Sequence, residues 1–410
     1  MKVDTMRAID RWAGVPLCFA LTLLRHLFRT AKPKPPRRIL FIELSEMGSA
    51  ILADPAMRKA QRIFDAEIFF VIFKRRAPSL ELLGTVPRAN VATIREDGFL
   101  ALTLDTLRFL LWARRRQIDT VVDLELFSRF TALLTGLCGA ANRVGFYRFH
   151  SEGLYRGELL THRVGYNPHM HIAKNFVALI NALSAPVQQS PCSKTRIDDA
   201  EMTVPQILVT EAAKADMKRR IATVFPDYNP VRHRLILFNP HASELLPQRR
   251  WPHSHFAMLA QRVLEHWGNA VVLITGAASD EAEAEKLKAL TAHPRLVNFA
   301  SQCQLVELPA LYSIAEVMVS NDSGPAHFAS VTRMPTIVLF GPETPALYGS
   351  LGNSEAICAG LACSPCVSAA NHRRTVCHDP VCMRAISPQR VFASVRAVLG
   401  ERRLLEVASR

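Results

Sequence analysis

Much is missing from this sequence, and each absence narrows its function. No segment is low in complexity and none repeats at solenoid spacing, which sets aside repeat architectures. There is no RNP, zinc-finger or helix-turn-helix signature, and the basic-aromatic interleaving of single-strand binders is missing. Nucleic acid is therefore not an expected partner. The N-terminal apolar run, Trp12 to Leu24, has 13 residues without a charge. A spanning helix needs about 20. A basic start followed by a short apolar core would also fit a signal peptide, but no A-x-A cleavage site follows it. Nine cysteines in 410 residues do not make a small disulfide scaffold.

What is present is ordinary globular composition, with 49% hydrophobic and 21% charged residues, enough for two or three domains. The net charge of +14 is unevenly spread. The first 38 residues carry nine Lys or Arg against Asp4 and Asp10, a local charge of +7. Such an excess points to an anionic partner. Apolar bulk followed by Arg25, His26 and Arg29 reads best as an interfacial helix on an anionic membrane surface. The alternatives are a helix packed on the protein's own surface, or a signal or spanning segment. Lys32 to Pro36 reads as a linker, so residues 1–36 form a membrane-surface segment and linker.

Two α/β halves follow, expected at 37–230 and 231–410. Arg38 to Leu44 is an apolar strand opening on the turn Ser45-Glu46-Met47-Gly48-Ser49, with a helical pattern through Ile51, Leu52, Pro55, Met57 and Ala60. Ile68 to Phe73 and Thr120 to Leu124 are further buried strands, with a helix over Ala101 to Arg116. The pattern restarts after Phe225 to Pro230. Leu235–Phe238, Ala270–Ile274, Val317–Ser320 and Thr336–Phe340 are strands, and Phe256–Trp267 is a helix. Strands alternating with helices imply parallel, doubly wound sheets, whose ligands bind beyond the strand carboxyl ends. Two such Rossmann-like domains facing across a cleft are expected, with one ligand for each.

The loops at those carboxyl ends carry the chemistry. After one strand comes Asn321-Asp322-Ser323-Gly324-Pro325-Ala326-His327. Asp322 or Ser323 can cap the following helix, whose free N–H groups suit a diphosphate, and His327 can add a donor. By itself this is equally a plain capped helix start. After another strand come Asn239-Pro240-His241-Ala242-Ser243 and Pro247-Gln248-Arg249-Arg250-Trp251-Pro252, where Arg249 and Arg250 can grip phosphate bidentately. Thr275-Gly276-Ala277-Ala278-Ser279-Asp280-Glu281 follows the next, placing an acid for a base or ribose. Arg75 and Arg76, after the IFFVIFK run, can meet acceptor phosphates or carboxylates, or form a solvated strand end. Cys363, Cys366, Cys377 and Cys382 have spacings that would suit a structural zinc ion, or simply serve as packed thiols.

Together these blocks resemble glycosyltransferase family 9, the heptosyltransferases of lipopolysaccharide core assembly. The similar segments are LSEMGSAILADPAMRKA (44–60), NPHASELLPQRRWPHSHFAMLA (239–260), VVLITGAASDEAEAEKL (271–287), SNDSGPAHFASVTRMPTIVLFGPETP (320–345) and CSPC…C…CMRAISPQRV (363–391). The resemblance implies a GT-B fold and an inverting transfer that needs no metal or other cofactor for catalysis. It implies ADP-heptose or another nucleotide sugar as donor and a lipid A-linked saccharide as acceptor, at the inner face of the bacterial inner membrane. It assigns Asp322, Ser323, Gly324 and His327 to the phosphate-binding turn; Ser243, Thr275, Gly276, Asp280, Glu281 and Pro325, in the same set of loops, are further donor-binding candidates. It places Arg249 where the family commonly has a Lys that neutralises the leaving diphosphate, and the cysteine loop as a structural element near the donor. The Asp that usually follows Gly48 as catalytic base is Ser49 here. Ser is a poor base at neutral pH without an activating partner. Glu46, in the same loop, and Asp54, one turn into the helix, are the candidate replacements. Ser49 is also the best support for a non-catalytic alternative, a scaffold that binds nucleotide sugar or glycan. A sugar-nucleotide epimerase is a third reading. It needs no lipid acceptor, so the basic, apolar N-terminus counts against it.

Overall fold

In the computed structural model, the described residues are 3–27, 34–44, 47–126, 128–149, 153–185, 194–368, 371 and 373–408. The chain divides into two compact units, Met1–Thr203 and Val204–Ser368 with Arg374–Arg410.

The first unit runs α1 (Val3–Trp12), α2 (Gly14–Leu27), β1 (Arg38–Ile42), α3 (Met47–Phe64), β2 (Glu67–Phe73), α4 (Pro78–Leu83) and β3 (Val91–Ile94). It continues α5 (Phe99–Arg115), β4 (Thr120–Asp123), α6 (Arg129–Leu137), β5 (Asn142–Phe146), β6 (His162–Val164) and α7 (Ile172–Ser184). Its strands form one parallel sheet in the order β3-β2-β1-β4-β5-β6. β1 and β2 are continuous apolar runs because both faces of the sheet are covered by helices.

The second unit runs α8 (Glu211–Val224), β7 (Arg234–Asn239), α9 (His253–His266), β8 (Ala270–Ile274), α10 (Glu281–Thr291), β9 (Leu296–Asn298), α11 (Leu308–Ile314) and β10 (Val317–Asn321). It continues α12 (Gly324–Phe328), β11 (Thr336–Phe340), α13 (Pro345–Tyr348), β12 (Ser354–Cys358), α14 (Val381–Arg384) and α15 (Pro388–Ala408). Its parallel sheet has the order β12-β11-β10-β7-β8-β9. The unit begins before the expected residue 231, because α8 is held to it by Arg220. That guanidinium donates twice to Glu307, at 2.9 and 2.7 Å.

One part of the chain differs from expectation. The Gly48-Ser49 pair lies in the first turn of α3, not in a loop, and Asp54 is two turns in. The N-terminal segment packs on its own unit along one side. Gly14, Cys18 and Thr22, spaced four apart on α2, are its buried residues. Small side chains there let α2 approach α6 closely. Asp10 Oδ1 accepts from the backbone N–H groups of Arg129 and Phe130, at 2.8 and 2.9 Å, satisfying two orphan donors at the start of α6. Among the described residues no helix is long and apolar enough to cross a membrane.

Candidate functional site

The carboxyl edge of the second sheet is where the sequence blocks converge. β7 and β10 are neighbours at its centre, where the strand order reverses, so their ends form the switch-point crevice of a doubly wound sheet. Asn321 ends β10, is fully buried, and uses both ends of its amide. Its Oδ1 accepts from Trp251 N–H at 3.0 Å, and its Nδ2 donates to the Pro240 carbonyl at 2.7 Å. One side chain thus ties the loop after β7 in two places. Asn239, ending β7, donates to the Thr275 carbonyl at 3.0 Å and so holds the loop after β8. Trp251 is sealed in the core, where its indole N–H donates to Ile386 O at 2.9 Å.

That anchored tryptophan positions the arginines before it, which separate in role. Arg249 Nη1 lies 3.5 Å from Asp322 Oδ2, with both side chains nearly buried. Its Nε is buried and makes no hydrogen bond among the described residues. A buried donor of this kind is a ready contact for an anionic ligand. Arg250 is instead committed to its own loop. It donates from Nε and Nη2 to Ala242 O, at 3.2 and 2.9 Å, and pairs with Glu244.

Gly276 is required by close approach. A Cβ there would lie 2.9 Å from both Asp280 Cβ and His241 Cδ2. Asp280 Oδ2 accepts from Ala277 N–H at 2.9 Å, and its Oδ1 is 4.0 Å from His241 Nδ1. Burial holds the His241 pKa below the usual histidine range, against the opposing pull of Asp280, so the ring is neutral at pH 7. The buried His241 Nε2 makes no hydrogen bond among the described residues. His241 had no assigned role in the sequence reading. Its signal was its place immediately after β7, where the loop enters the crevice. Ser243 is exposed and accepts from Leu245 N–H at 3.2 Å, and Glu281 opens α10 on the surface.

The turn after β10 differs from expectation in one respect. Ser323 occupies the N-cap position of α12 but makes no capping hydrogen bond. Its hydroxyl lies 3.2 Å from Asn321 O and 3.5 Å from Asn239 Oδ1, because the strand end competes for it. Asp322 faces Arg249. Gly324 and Pro325 open a helix of only five residues. His327 is buried on it, and its carbonyl accepts from Ser330 Oγ at 2.6 Å.

In the first unit, Glu46 lies outside the described residues. Gly48 is buried and Ser49 half-buried. Asp54 is fully buried, accepts from Thr85 Oγ1 at 2.5 Å, and has Arg58 4.0 Å away. Burial pushes its pKa up to about 6. A carboxylate with no exposed surface does not meet an acceptor hydroxyl, so this site leaves Asp54 a structural acid. Arg75 and Arg76 are already paired, with Asp97 at 2.6 Å and Glu96 at 2.7 Å, which stitches the loops after β2 and β3 together. At the switch point of this sheet stand Glu43, Asp123 and Glu125, all buried. Arg156 is the residue the sequence reading missed here. It pairs with Asp123 and donates to Glu125 O at 2.6 Å, Ser128 O at 2.9 Å and Thr131 Oγ1 at 2.9 Å. It lies far along the chain from β4, so no local pattern announced it. With Asp123, Tyr147, Arg148, Tyr155 and Glu158 it lines a small open recess.

The four clustered cysteines are the candidate metal ligands. Burial first, then the neighbouring Cys366, Cys377 and Cys363, push the Cys382 thiol up. Yet among the described residues no three His, Cys, Asp or Glu side chains converge closely enough to hold an ion. Cys366 Sγ instead lies 3.4 Å from Thr375 Oγ1, and Cys382 is packed into the core. The expectation of structural zinc is thus left without support among the described residues.

Comparison with known proteins agrees with this architecture. Residues 112–376 match the family model described as glycosyltransferase family 9 (heptosyltransferase). The chain is 35% identical over 144 residues to lipopolysaccharide heptosyltransferase 2 of Salmonella typhimurium, covering 34% of this chain and 39% of that one. It is 33% identical over 167 residues to lipooligosaccharide heptosyltransferase 2 of Haemophilus influenzae, covering 40% and 46%. These matches thus span under half the length of either relative. A longer match, 23% identical, joins 78% of this chain to 84% of the lipopolysaccharide core heptosyltransferase OpsX of Haemophilus influenzae. Among solved structures, ADP-heptose lipopolysaccharide heptosyltransferase II of E. coli has a TM-score of 0.68 at 21% identity, covering 89% of this chain and 99% of that one. A family 9 glycosyl transferase from Veillonella parvula has a TM-score of 0.65 at 17% identity, covering 89% and 97%. The fold is GT-B, and the chain belongs to glycosyltransferase family 9, the heptosyltransferase family.

Proposed function

We propose that the protein is an inverting glycosyltransferase. In this reading it moves a heptose or related sugar from a nucleotide-sugar donor to the core saccharide of lipopolysaccharide or a related surface glycan. It works at the inner face of the bacterial inner membrane, and ADP-heptose is the leading donor. The observation that carries this is the anchored carboxyl edge of the second sheet, where Asn321 and Asn239 hold three loops around the buried Arg249–Asp322 pair.

The acceptor hydroxyl attacks the anomeric carbon as the bond to the nucleotide diphosphate breaks. Negative charge then builds on the leaving diphosphate. A guanidinium carries a delocalised positive charge, and the buried setting of Arg249 strengthens its field on the leaving group. Its unmet Nε–H and the neutral His241 supply further contacts to the donor. The hydroxyl proton passes to a carboxylate of the first unit acting as general base. Glu46 is the candidate by its place between β1 and α3, since Asp54 is sealed off.

Thermal-shift measurements against a panel of ADP-, GDP- and UDP-sugars test the donor site. Stabilisation by an ADP-sugar supports it, and no shift with any of them sinks it. For catalysis, transfer should survive Ser49→Ala and vanish in Glu46→Gln. Transfer that persists in Glu46→Gln removes that residue from the mechanism.

A further inference from the structure

α2 is built inside out. Its inward side is the small stripe Gly14, Cys18 and Thr22. Its outward side carries Leu17, Phe19, Leu23, Leu24 and Leu27, each about half exposed or more, with Leu27 at 78%. Trp12, which ends α1 just before it, is 77% exposed. A water-facing helix normally reverses this arrangement.

α5 repeats the anomaly from a separate stretch of chain. Asp105, Phe109, Leu110 and Ala113 are buried against the sheet. Leu100, Leu104, Leu107 and Leu111, at the i, i+4, i+7, i+11 spacing of one helical face, are exposed, and Phe99 beside them is 67% exposed. The two outward faces share one layer. α6 lies between the two helices and contacts both. Arg25 of α2 donates to the Gly136 carbonyl and Arg114 of α5 to the next one, Leu137 O, so both helices end at the same end of α6.

The exposed charge on the two helices themselves is of one sign. α2 has no acid, and the single acid of α5, Asp105, is buried and doubly bonded to Arg95 at 2.7 and 2.9 Å. On α5 the exposed charged residues are Arg108, Arg114 and Arg115, Arg116 follows, and the exposed Asp97 just before the helix is paired with Arg75 at 2.6 Å. An apolar face this large is not stable against water without a partner, and its basic rim selects an anionic one. Fourteen and seventeen residues also give helices of only about 21 and 25 Å, suited to lying in an interface rather than crossing it.

We infer that α2 and α5 together form one membrane-docking face that inserts its leucines and aromatics into the headgroup boundary of an anionic phospholipid bilayer. This rests on the membrane-surface reading of the N-terminal segment and adds α5, which lies outside that segment, as its second half. Both helices begin at the strand-carboxyl edge of the first sheet, since α6 starts there after β4 and they run alongside it. Docking therefore brings that edge, with Glu43, Asp123 and Glu125, to the lipid surface where a lipid-linked saccharide is held.

The test is co-flotation of the full chain with vesicles of phosphatidylcholine alone or with 30% phosphatidylglycerol, at physiological salt. Wild type should float only with the anionic vesicles. The triple variant Leu100→Glu, Leu104→Glu, Leu107→Glu and the double variant Phe19→Glu, Leu23→Glu should each lower the floated fraction at least tenfold. All five positions are exposed, so the melting temperatures should match wild type. If the α5 variant floats like wild type while the α2 variant does not, the two-helix face is wrong and the N-terminal reading survives. If wild type binds neither vesicle, both fall. If the α5 variant turns a dimer into a monomer in sedimentation velocity and flotation is unchanged, the face is a contact between copies and the inference is overturned.

Discussion

Arg249 Nη1 lies 3.5 Å from Asp322 Oδ2, and neither side chain is more than an eighth exposed. The first comes from the loop after β7 and the second from the loop after β10, so the pair spans the switch point of the second sheet. Arg249→Met should lower affinity for ADP by roughly 10–100-fold, the loss of one or two charge-assisted hydrogen bonds of about 1.5–3 kcal/mol. It should also destabilise the fold by leaving Asp322 without its cation. In the double variant Arg249→Met/Asp322→Asn, the melting temperature should partly recover while ADP affinity does not. Calorimetric titration and thermal melts read the two separately. Recovery of both would mean that Arg249 is structural only.

Asn321 is matched to its neighbours at both ends of its amide. Asn321→Asp replaces the donor aimed at Pro240 O with an acceptor, setting two acceptors against each other in a buried site. A loss of about 3 kcal/mol in denaturant unfolding is expected, from the unsatisfied carbonyl together with the buried charge. Asn321→Ala should cost less, since it leaves only unmade bonds. A smaller loss in the Asp variant than in the Ala variant would contradict this account.

Asp54 predicts a pH dependence of stability. Burial raises its folded-state pKa to about 6, whereas an unfolded aspartate titrates near 3.9. The folded protein therefore binds this proton more tightly than the unfolded chain does. The resulting stability is fully present below about pH 3.9 and is lost as the pH rises through about 6. Asp54→Asn keeps an acceptor for Thr85 and removes the buried charge. It should stabilise the protein by about 2–3 kcal/mol at pH 8 and by little at pH 4. Equal effects at the two pH values would show that the carboxyl is not desolvated.

Gly157 is the hinge point of the α2 seat. Its φ of +73° suits glycine, and a Cβ there would lie 2.7 Å from Thr22 Oγ1 and 2.9 Å from Cys18 O. Gly157→Ala should cost about 2 kcal/mol and loosen α2. Limited trypsin digestion should then cleave after Arg25 faster than in wild type. Unchanged cleavage would mean that α2 is not seated against Gly157.

The periodicity of the chain determined the central strands. Arg38–Ile42, Ala270–Ile274 and Thr336–Phe340 are buried on both faces, so they must be continuous apolar runs, and such runs are visible locally. It also determined the loop blocks at Asn239–Pro252 and Ser320–His327, because a turn that ends a strand and starts a helix needs Asn, Asp, Gly and Pro in close order. β5 was not legible in this way. Asn142, Arg143 and Gly145 are buried only because partners elsewhere satisfy them, as when Arg143 Nε donates to Leu159 O at 2.6 Å. The same holds for the chemistry. Sequence separates neither Arg249 from Arg250 nor an accessible acid from a sealed one. Those distinctions depend on which groups lie nearby in space: Asp322 beside Arg249, Ala242 and Glu244 around Arg250, Thr85 over Asp54. Likewise the apolar run at Trp12–Leu24 was plain in the sequence. That its large residues face outward, in one layer with those of α5, follows from the small stripe Gly14-Cys18-Thr22 meeting α6, and only the tertiary structure decides that.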